Sequence, residues 1–215
     1  MRAAALLQLS FALGCATTAS ATDLFSSQIS IAGITPGGKT TLHQVVDKLG
    51  PSDTWHSGDA GESEYKICYR VSTEGKTKFL IFGSSGEMAN PKGQVTSIKI
   101  IEADSISEYS THCKRPGVNT IRLASSLGLR LGMSKPELSK AMGPGKLTES
   151  GAVEYSSCTN RYMKTGTTEF RRWVGKEGCF ENRDRPYFND CRSVTVLFSD
   201  GAAVQIEVAG GQSVC

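Results

Sequence analysis

The chain has 215 residues and a formal net charge of +3 at pH 7. A charge balance this close to neutral argues against a nucleic-acid partner, which attracts strongly basic surfaces. The length suits two small domains, each large enough to bury a modest core.

Residues 1–21 have the pattern of a secretory signal peptide. Arg2 supplies the positive start, residues 3–13 are apolar, and an Ala-Ser-Ala cleavage site ends at Ala21. The apolar run is too short for a permanent membrane-spanning helix, so we expect a periplasmic or secreted protein without a transmembrane segment. An alternative stays open, because lipidation of Cys15 would make the chain an outer-membrane lipoprotein and the membrane a partner.

Residues 131–144 predict a two-turn helix with clear boundaries. Ser134 is a good N-cap because its hydroxyl can accept a backbone N–H of the first turn, and Pro136 is tolerated in that turn. Leu138 and Met142 are four residues apart and share one face, and a Gly-Pro pair ends the helix. A helix this short must pack on another element, which we expect to be a sheet.

Residues 38–51 repeat this pattern. Thr41 takes the place of Ser134, and each matched position is offset by 93 residues. A second landmark is a Glu-Tyr pair with a cysteine three residues after the tyrosine. It ends at Cys68 and again at Cys158, which are 90 residues apart. Two ordered landmarks at nearly one offset indicate a tandem repeat of about ninety residues.

The pattern after each helix predicts an antiparallel sheet, with the strongest hairpin signal at Asp200-Gly201. The fold class is therefore α+β: two tandem repeats, residues 22–116 and 117–215, each a short N-terminal helix packed on a three- to four-stranded antiparallel sheet. Residues 175–192 form an inserted excursion. The predicted strands are 65–71, 78–82 and 95–101 in the first copy and 153–163, 170–174, 194–198 and 204–208 in the second, after entering segments at 23–32 and 121–131.

Six cysteines follow the leader, and an even number in an exported chain predicts three disulfides. The repeat reduces the number of plausible disulfide pairings, because equivalent cysteines of the two copies should have equivalent partners. Cys113 and Cys215 each follow the last strand of their copy. The expected pairs are Cys68–Cys113, Cys158–Cys215 and, as a local bridge in the excursion, Cys179–Cys191. None of them forms a C-x-x-C pair, so a redox-active disulfide is not expected.

The helix pattern resembles the fold shared by β-lactamase inhibitor protein and the small lipoprotein of the outer-membrane barrel-assembly machinery. The resemblance rests on residues 132–134, 137–138 and 142–144, with the weaker Thr41, Val45 and 49–51 in the first copy. It implies two repeats over nearly the whole mature chain. Proline follows the glycine directly here, and the first copy lacks a glutamate at the position of Glu137, so the resemblance implies a fold and no partner-binding residues.

Residues 33–40 match the phosphate-loop pattern G-x-x-x-x-G-K-[ST]. In a nucleotide-binding loop of this pattern, Lys39 would contact the terminal phosphates and Thr40 would bind magnesium. The motif needs a parallel α/β sheet and a metal-binding aspartate at a strand end, and the sequence indicates neither. We therefore interpret the segment as a glycine-rich entry to the helix and predict no cofactor.

Candidate catalytic and metal-binding residues are scattered. His43, His56 and His112 have no metal-ligand spacing. A G-x-S-x-G elbow is absent from the sequence, and we expect every cysteine of the mature chain to be in a disulfide. We predict no metal site, no catalytic residue and no enzymatic activity.

Basic and aromatic residues are concentrated between residues 161 and 192. Arg, Tyr and Trp are enriched at protein interfaces, and the excursion has no counterpart in the first copy. The alternative interpretation is a twisted hairpin with a basic solvent face and aromatic core residues. The candidate partner surface comprises Tyr162, Arg171, Arg172, Trp173, Arg183 and Arg185.

These patterns together predict an exported, non-catalytic protein-binding module of the bacterial periplasm or envelope. Its partner would be another envelope or secreted protein. Two alternatives remain open at this point: an inhibitor of a secreted or periplasmic hydrolase, and an outer-membrane lipoprotein that aids envelope assembly.

Overall fold

The structure is a computed structural model that describes residues 29–59, 63–73, 75–86, 89–102, 109, 111–118, 121–174 and 186–214. The predicted signal peptide and Cys15 lie outside the described residues, and so do Cys179, Arg183, Arg185 and Cys215. The side chains of Trp173 and residues 212–214 are also outside the description.

Two short helices begin in the predicted places, each with a capping box. α1 spans Leu42–Leu49 and α2 spans Lys135–Met142. At α1, Thr41 Oγ1 accepts the Gln44 N–H at 3.3 Å, and the Gln44 side chain accepts the Thr41 N–H at 3.0 Å. Gln44 therefore closes the capping box of α1 in the way that Glu137 closes that of α2.

The N-terminus of α2 carries an additional ionic contact. Glu137 Oε2 accepts the Ser134 N–H at 2.7 Å and the Ser134 hydroxyl at 2.9 Å, and Arg130 Nη2 lies 2.8 Å from Glu137 Oε1. The backbone N–H of Ser134 contributes most to lowering the pKa of Glu137, followed by its hydroxyl and then by Arg130. The charged form of this cap is thus favoured, and the cap weakens as the pH falls through that lowered pKa.

In the described part of the chain, eight strands form one antiparallel sheet in the order β1-β2-β3-β4-β8-β7-β6-β5. The α+β prediction is therefore confirmed. The β4–β8 pair lies at the centre, with the strands of the first half of the chain on one side and those of the second half on the other. The strands are β1 Thr54–Ser57, β2 Glu64–Thr73, β3 Lys76–Ser85, β4 Ser97–Glu102, β5 Lys146–Leu147, β6 Val153–Tyr162, β7 Tyr187–Ser199 and β8 Ala202–Val214.

Most predicted strands are present, with three differences. The edge strands β1 and β5 lie in stretches for which the sequence predicted no strand. The predicted strand at 170–174 is wrong, because α3 spans Thr168–Trp173 after Thr167, whose hydroxyl accepts a backbone N–H at 3.1 Å. The predicted excursion, residues 175–192, is too long, because β7 already begins at Tyr187.

The β7–β8 hairpin turns at Asp200 and Gly201, as predicted. Both residues have positive φ, 51° and 79° respectively, which is the requirement of the tight turns that match the twist of a hairpin. The turn sets the pairing of Ser199 with Ala202 and of Phe198 with Ala203, and a bulge between Leu197 and Phe198 shifts the register of the rest of the hairpin.

One face of the sheet carries the main core. The apolar stripes of α1 and α2 belong to the same cluster of buried side chains as residues from six strands. These short helices are stabilised by that burial more than by their own propensity. The sheet side chains of the cluster include Ile67, Tyr69, Leu80, Phe82, Ile98, Ile100, Tyr155, Val194, Val196, Ile206 and Val208.

The opposite face carries a smaller cluster, in which the predicted Cys68–Cys113 disulfide is confirmed. The two Cα atoms are 4.5 Å apart, and the cluster also holds Phe79, Ile81, Ile101 and Tyr109. On the same face, where β4 and β8 meet, Lys99 Nζ lies 2.9 Å from Glu207 Oε2. Burial lowers the pKa of Lys99, but the charge and hydrogen bond of Glu207, together with smaller contributions from Tyr109 and Glu64, raise the pKa overall.

The second disulfide joins Cys158 to Cys191, so the predicted pairs Cys158–Cys215 and Cys179–Cys191 are wrong. The two bridged cysteines lie directly opposite each other in the β6–β7 register, with Cα atoms 4.1 Å apart. The prediction failed because it placed Cys191 in a local excursion, whereas Cys191 belongs to β7. Disulfides are typical of proteins that fold in an oxidising compartment.

A buried tyrosine contacts the C-terminal end of α1, and another contacts that of α2. Tyr69 Oη donates to the Gly50 carbonyl at 2.7 Å, and Tyr155 Oη donates to the Gly143 carbonyl at 3.0 Å. Burial raises the pKa of Tyr69 to about 12 and also raises the pKa of Tyr155. Each hydroxyl thus stays protonated and ties a helix end to the sheet.

Tyr69→Phe is expected to lower the free energy of unfolding by about 0.5–1.5 kcal/mol, because it removes the hydrogen bond to the part-buried Gly50 carbonyl. The pH dependence gives a second readout. The unfolded tyrosine has a pKa near 10 and Tyr69 in the folded state has one of about 12. The unfolded state therefore loses its proton first, so this contribution is present below about pH 10 and declines above it.

Urea unfolding of the parent and of Tyr69→Phe, from about pH 8 to about pH 11, measures both effects. The parent should lose more stability across that range than the variant. Tyr162→Phe, at an exposed side chain, is the control and should behave as the parent. Equal pH slopes for the parent and Tyr69→Phe would contradict the prediction.

Candidate partner-binding surface

The last residue of β6 and the first of β7 form an aromatic pair in which Tyr162 is exposed and Tyr187 is half-buried. Tyr162 and Tyr187 are directly opposite in the register, and their rings meet edge to face with centroids 5.6 Å apart. Tyr162 is 56% exposed, one of three large hydrophobic residues exposed in the described part of the chain. Such a ring offers a large contact area at a small entropic cost.

At the same ends of β6 and β7, the opposite face of the sheet carries a cation. The Arg161 guanidinium lies over the Phe188 ring, 4.9 Å from its centroid, and Arg161 Nε is 3.9 Å from Asp190 Oδ2. Both residues lie in the basic and aromatic stretch between residues 161 and 192 but are not among the predicted partner residues. The sequence signal for them is that each is adjacent to a tyrosine, Tyr162 or Tyr187. Neighbouring residues of a strand point to opposite faces of the sheet.

The other predicted surface residues follow β6 along the chain. Arg171 and Arg172 are exposed on α3, where Arg171 Nη1 donates to the Gly166 carbonyl at 3.0 Å. The charges suit the ends of the helix, since Glu169 lies in the first turn and the arginines in the last. Trp173 is the last residue of α3.

β6 also presents an open edge. β5 pairs only with Val153 and Glu154, and no described strand pairs with residues 155–162 on the side away from β7. The corresponding edge of β2 is covered, because the Arg70 N–H donates to the Lys114 carbonyl at 2.7 Å. Exposed edges can pair with a strand from another chain, and among the described residues no strand occupies this part of the β6 edge.

A polar atom beneath this surface has no partner among the described residues. Asn189 Oδ1 is buried and accepts no hydrogen bond there, although Asn189 faces Asn160 in the register. An unsatisfied buried acceptor costs about 1–3 kcal/mol. The β6–β7 end thus contains the one buried side-chain polar atom that lacks a partner among the described residues.

The phosphate-loop pattern lies elsewhere, against β8. The Gly37 N–H donates to the Val95 carbonyl at 2.8 Å, and the next N–H bonds within the segment. A Cβ atom on Gly210 would lie 2.7 Å from a carbonyl oxygen of residues 33–40. These amides are occupied by protein carbonyls, which supports the interpretation as a structural entry to α1.

The histidines lie apart and have ordinary neighbours. His43 is 3.9 Å from the Asp47 carboxylate, His56 Nε2 is 2.7 Å from Ser63 Oγ, and His112 stacks on Trp55 at 5.1 Å. Within the described residues, no three potential metal ligands lie close enough to hold an ion. The predictions of no metal and no catalysis stay predictions.

Comparison with protein families, with curated proteins and with solved structures finds no match. Among the described residues, no helix has the length and apolarity needed to cross a bilayer. The exposed residues and strand edges of this chain are therefore the observations that bear on its function.

Proposed function

We propose that this chain is an exported, non-catalytic module that binds another envelope or secreted protein through the end of its β6–β7 hairpin. We call this region the hairpin-end surface; it comprises Arg161, Tyr162, Tyr187, Phe188 and Arg171. The single observation that carries the proposal is the exposed Tyr162 at the end of the open edge of β6.

The proposed contact has two parts. An extended segment of the partner pairs with the backbone of residues 155–161 along the edge of β6, which supplies affinity without regard to sequence. The aromatic pair and the nearby arginines then select the partner through side chains, since buried Tyr and Arg dominate the binding energy of many interfaces. The Cys158–Cys191 bridge lies four register pairs from Tyr162 and stabilises the hairpin in advance of binding.

The double variant Tyr162→Ala/Arg171→Ala is expected to weaken partner binding at least about tenfold, because it removes an anchor ring and a cation. The immobilised full chain would be used to retain proteins from an envelope extract, and binding of the retained protein would then be measured. Leu147→Ala is the matched control, because Leu147 is 63% exposed but lies near the opposite end of β6.

The proposal requires a protein that binds the parent and Leu147→Ala equally but does not bind the double variant. The melting temperature of the double variant should equal that of the parent. Equal binding by all three, or none at all, would count against it. If the retained protein is a hydrolase that the chain inhibits at a 1:1 ratio, the module is an inhibitor. A native chain that starts at an acylated Cys15 would make it an envelope lipoprotein.

We further propose that the two halves of the sheet are tandem copies of one unit. Capping boxes at Thr41 and Ser134 and the matching bonds from Tyr69 and Tyr155 support a common origin. The strand order supports it too, because each half contributes four strands in mirrored order about the β4–β8 pair. The resemblance to β-lactamase inhibitor protein and the small barrel-assembly lipoprotein belongs to this proposal.

A further inference from the structure

Two clefts meet beside the C-terminal end of β2. Their volumes are about 440 Å³ and 600 Å³, and Val118 and Ile121 line both. We call the joined clefts the arginine groove; its lining also includes Leu49, Arg70, Val71, Arg115 and Arg122. β2 and β6 run in opposite directions in the antiparallel sheet, so the groove and Tyr162 lie at opposite ends of it.

The groove carries positive charge without an opposing charge. Arg122 lines one cleft and Arg70 and Arg115 line the other, while the described lining residues of both include no Asp or Glu. The three arginines are exposed, and none forms an ion pair with a described residue. The groove's lysine, Lys48, is different, because its Nζ donates to the Ala32 carbonyl at 3.0 Å.

The nearby carboxylates have their own partners. Asp53 Oδ2 lies 2.8 Å from Lys114 Nζ, next to Arg115 in the chain. Asp47 lines the next hollow along α1 and lies 3.9 Å from His43. The guanidinium groups are therefore available for an anion from outside the chain.

The described residues shared by the two clefts are apolar. Val118 is 37% exposed there, although valine is usually buried. Leu49, Val71 and Ile121 are at least nine-tenths buried and form the base of the clefts. This apolar junction interrupts the positive charge, which disfavours a long polyanion and favours a compact ligand with both a charged and an apolar part.

We propose that the arginine groove binds a small organic anion with an apolar body, of the size of a medium-chain carboxylate. The planar guanidinium matches a carboxylate with two parallel hydrogen bonds, and the alkyl part covers Val118. The volumes lie in the range of small-molecule sites, which combine apolar walls with a few convergent polar groups. This site is separate from the hairpin-end surface and does not depend on the function proposed for it.

The test uses octanoate as the probe and the full chain, with binding followed by chemical-shift changes and by calorimetry. Octanoate should bind saturably at millimolar concentration or below, with octylammonium and acetate binding more weakly. Arg115→Ala/Arg122→Ala should weaken octanoate binding at least about tenfold, because it removes charge-assisted hydrogen bonds. Val118→Asp should abolish it, because that change places a carboxylate at the apolar junction.

Two controls separate this site from general effects. Lys140→Ala removes an exposed cation from α2, and Tyr162→Ala alters the hairpin-end surface; both should bind octanoate as the parent does. The melting temperature of each variant without ligand verifies folding. Absence of saturable binding, equal binding of octylammonium, or unchanged affinity in Arg115→Ala/Arg122→Ala would each overturn the proposal.

Discussion

Phe82→Ala is expected to lower the free energy of unfolding by about 3–5 kcal/mol, which is a large share of the 5–15 kcal/mol typical of a domain. Phe82 is fully buried in β3, between Ile67 of β2 and Ile98 of β4 in the register. Its ring also meets that of Tyr69 edge to face, at 6.3 Å. Truncation therefore leaves a cavity among rigid strands that cannot close around it.

Phe198→Ala is the matched control, since it removes the same atoms from a half-buried ring near the β7–β8 turn. Urea unfolding at neutral pH should give a clearly smaller loss of stability for this variant. Equal losses for the two variants would contradict the assignment of Phe82 to the centre of the core.

Cys68→Ala/Cys113→Ala is expected to lower the free energy of unfolding by about 2–5 kcal/mol, and by more than Cys158→Ala/Cys191→Ala. Chain entropy explains little of the difference. The bridges span 45 and 33 residues, which differ by only about 0.3 kcal/mol in loop-closure cost. Packing explains the rest, because the first bridge is buried beside Phe79 and Tyr109, so its removal leaves a cavity.

The two bridges should also differ in their response to a mild reductant. Cys158 is exposed, so its bridge should open first, while Cys68–Cys113 should open only on unfolding. Mass spectrometry after trapping free thiols at increasing reductant concentration measures the order. Earlier opening of the buried bridge, or a larger stability loss from removing the exposed one, would show that this ranking is wrong.

The elements that the sequence predicted well are those with local causes. The caps at Thr41 and Ser134 and the turn at Asp200-Gly201 depend on residues within one turn of the chain, and each is present. α3 was missed although its cause is also local. Phe170, Trp173 and Val174 are residue types that suit a strand, but the N-cap at Thr167 begins a helix there.

The features that the sequence could not give are those that depend on distant pairing. β1 and β5 are four and two residues long and exist only because β2 and β6 provide an edge. The Cys158–Cys191 bridge follows from the β6–β7 register, which repeat equivalence did not reveal. At the candidate surface, Tyr162 was predicted as a partner residue and is exposed in the fold, whereas its neighbour Tyr187 becomes evident only from the register.

The central position of the β4–β8 pair affects how the chain reaches its final state. β4 is complete once residue 102 has been made, but its second neighbour forms only from residues 205–209. During that interval an edge rich in isoleucine is unprotected, at Ile98, Ile100 and Ile101. The interval between making β4 and pairing it is thus the stage at which aggregation competes with folding, and a molecular chaperone that shields this edge would raise the yield of native protein.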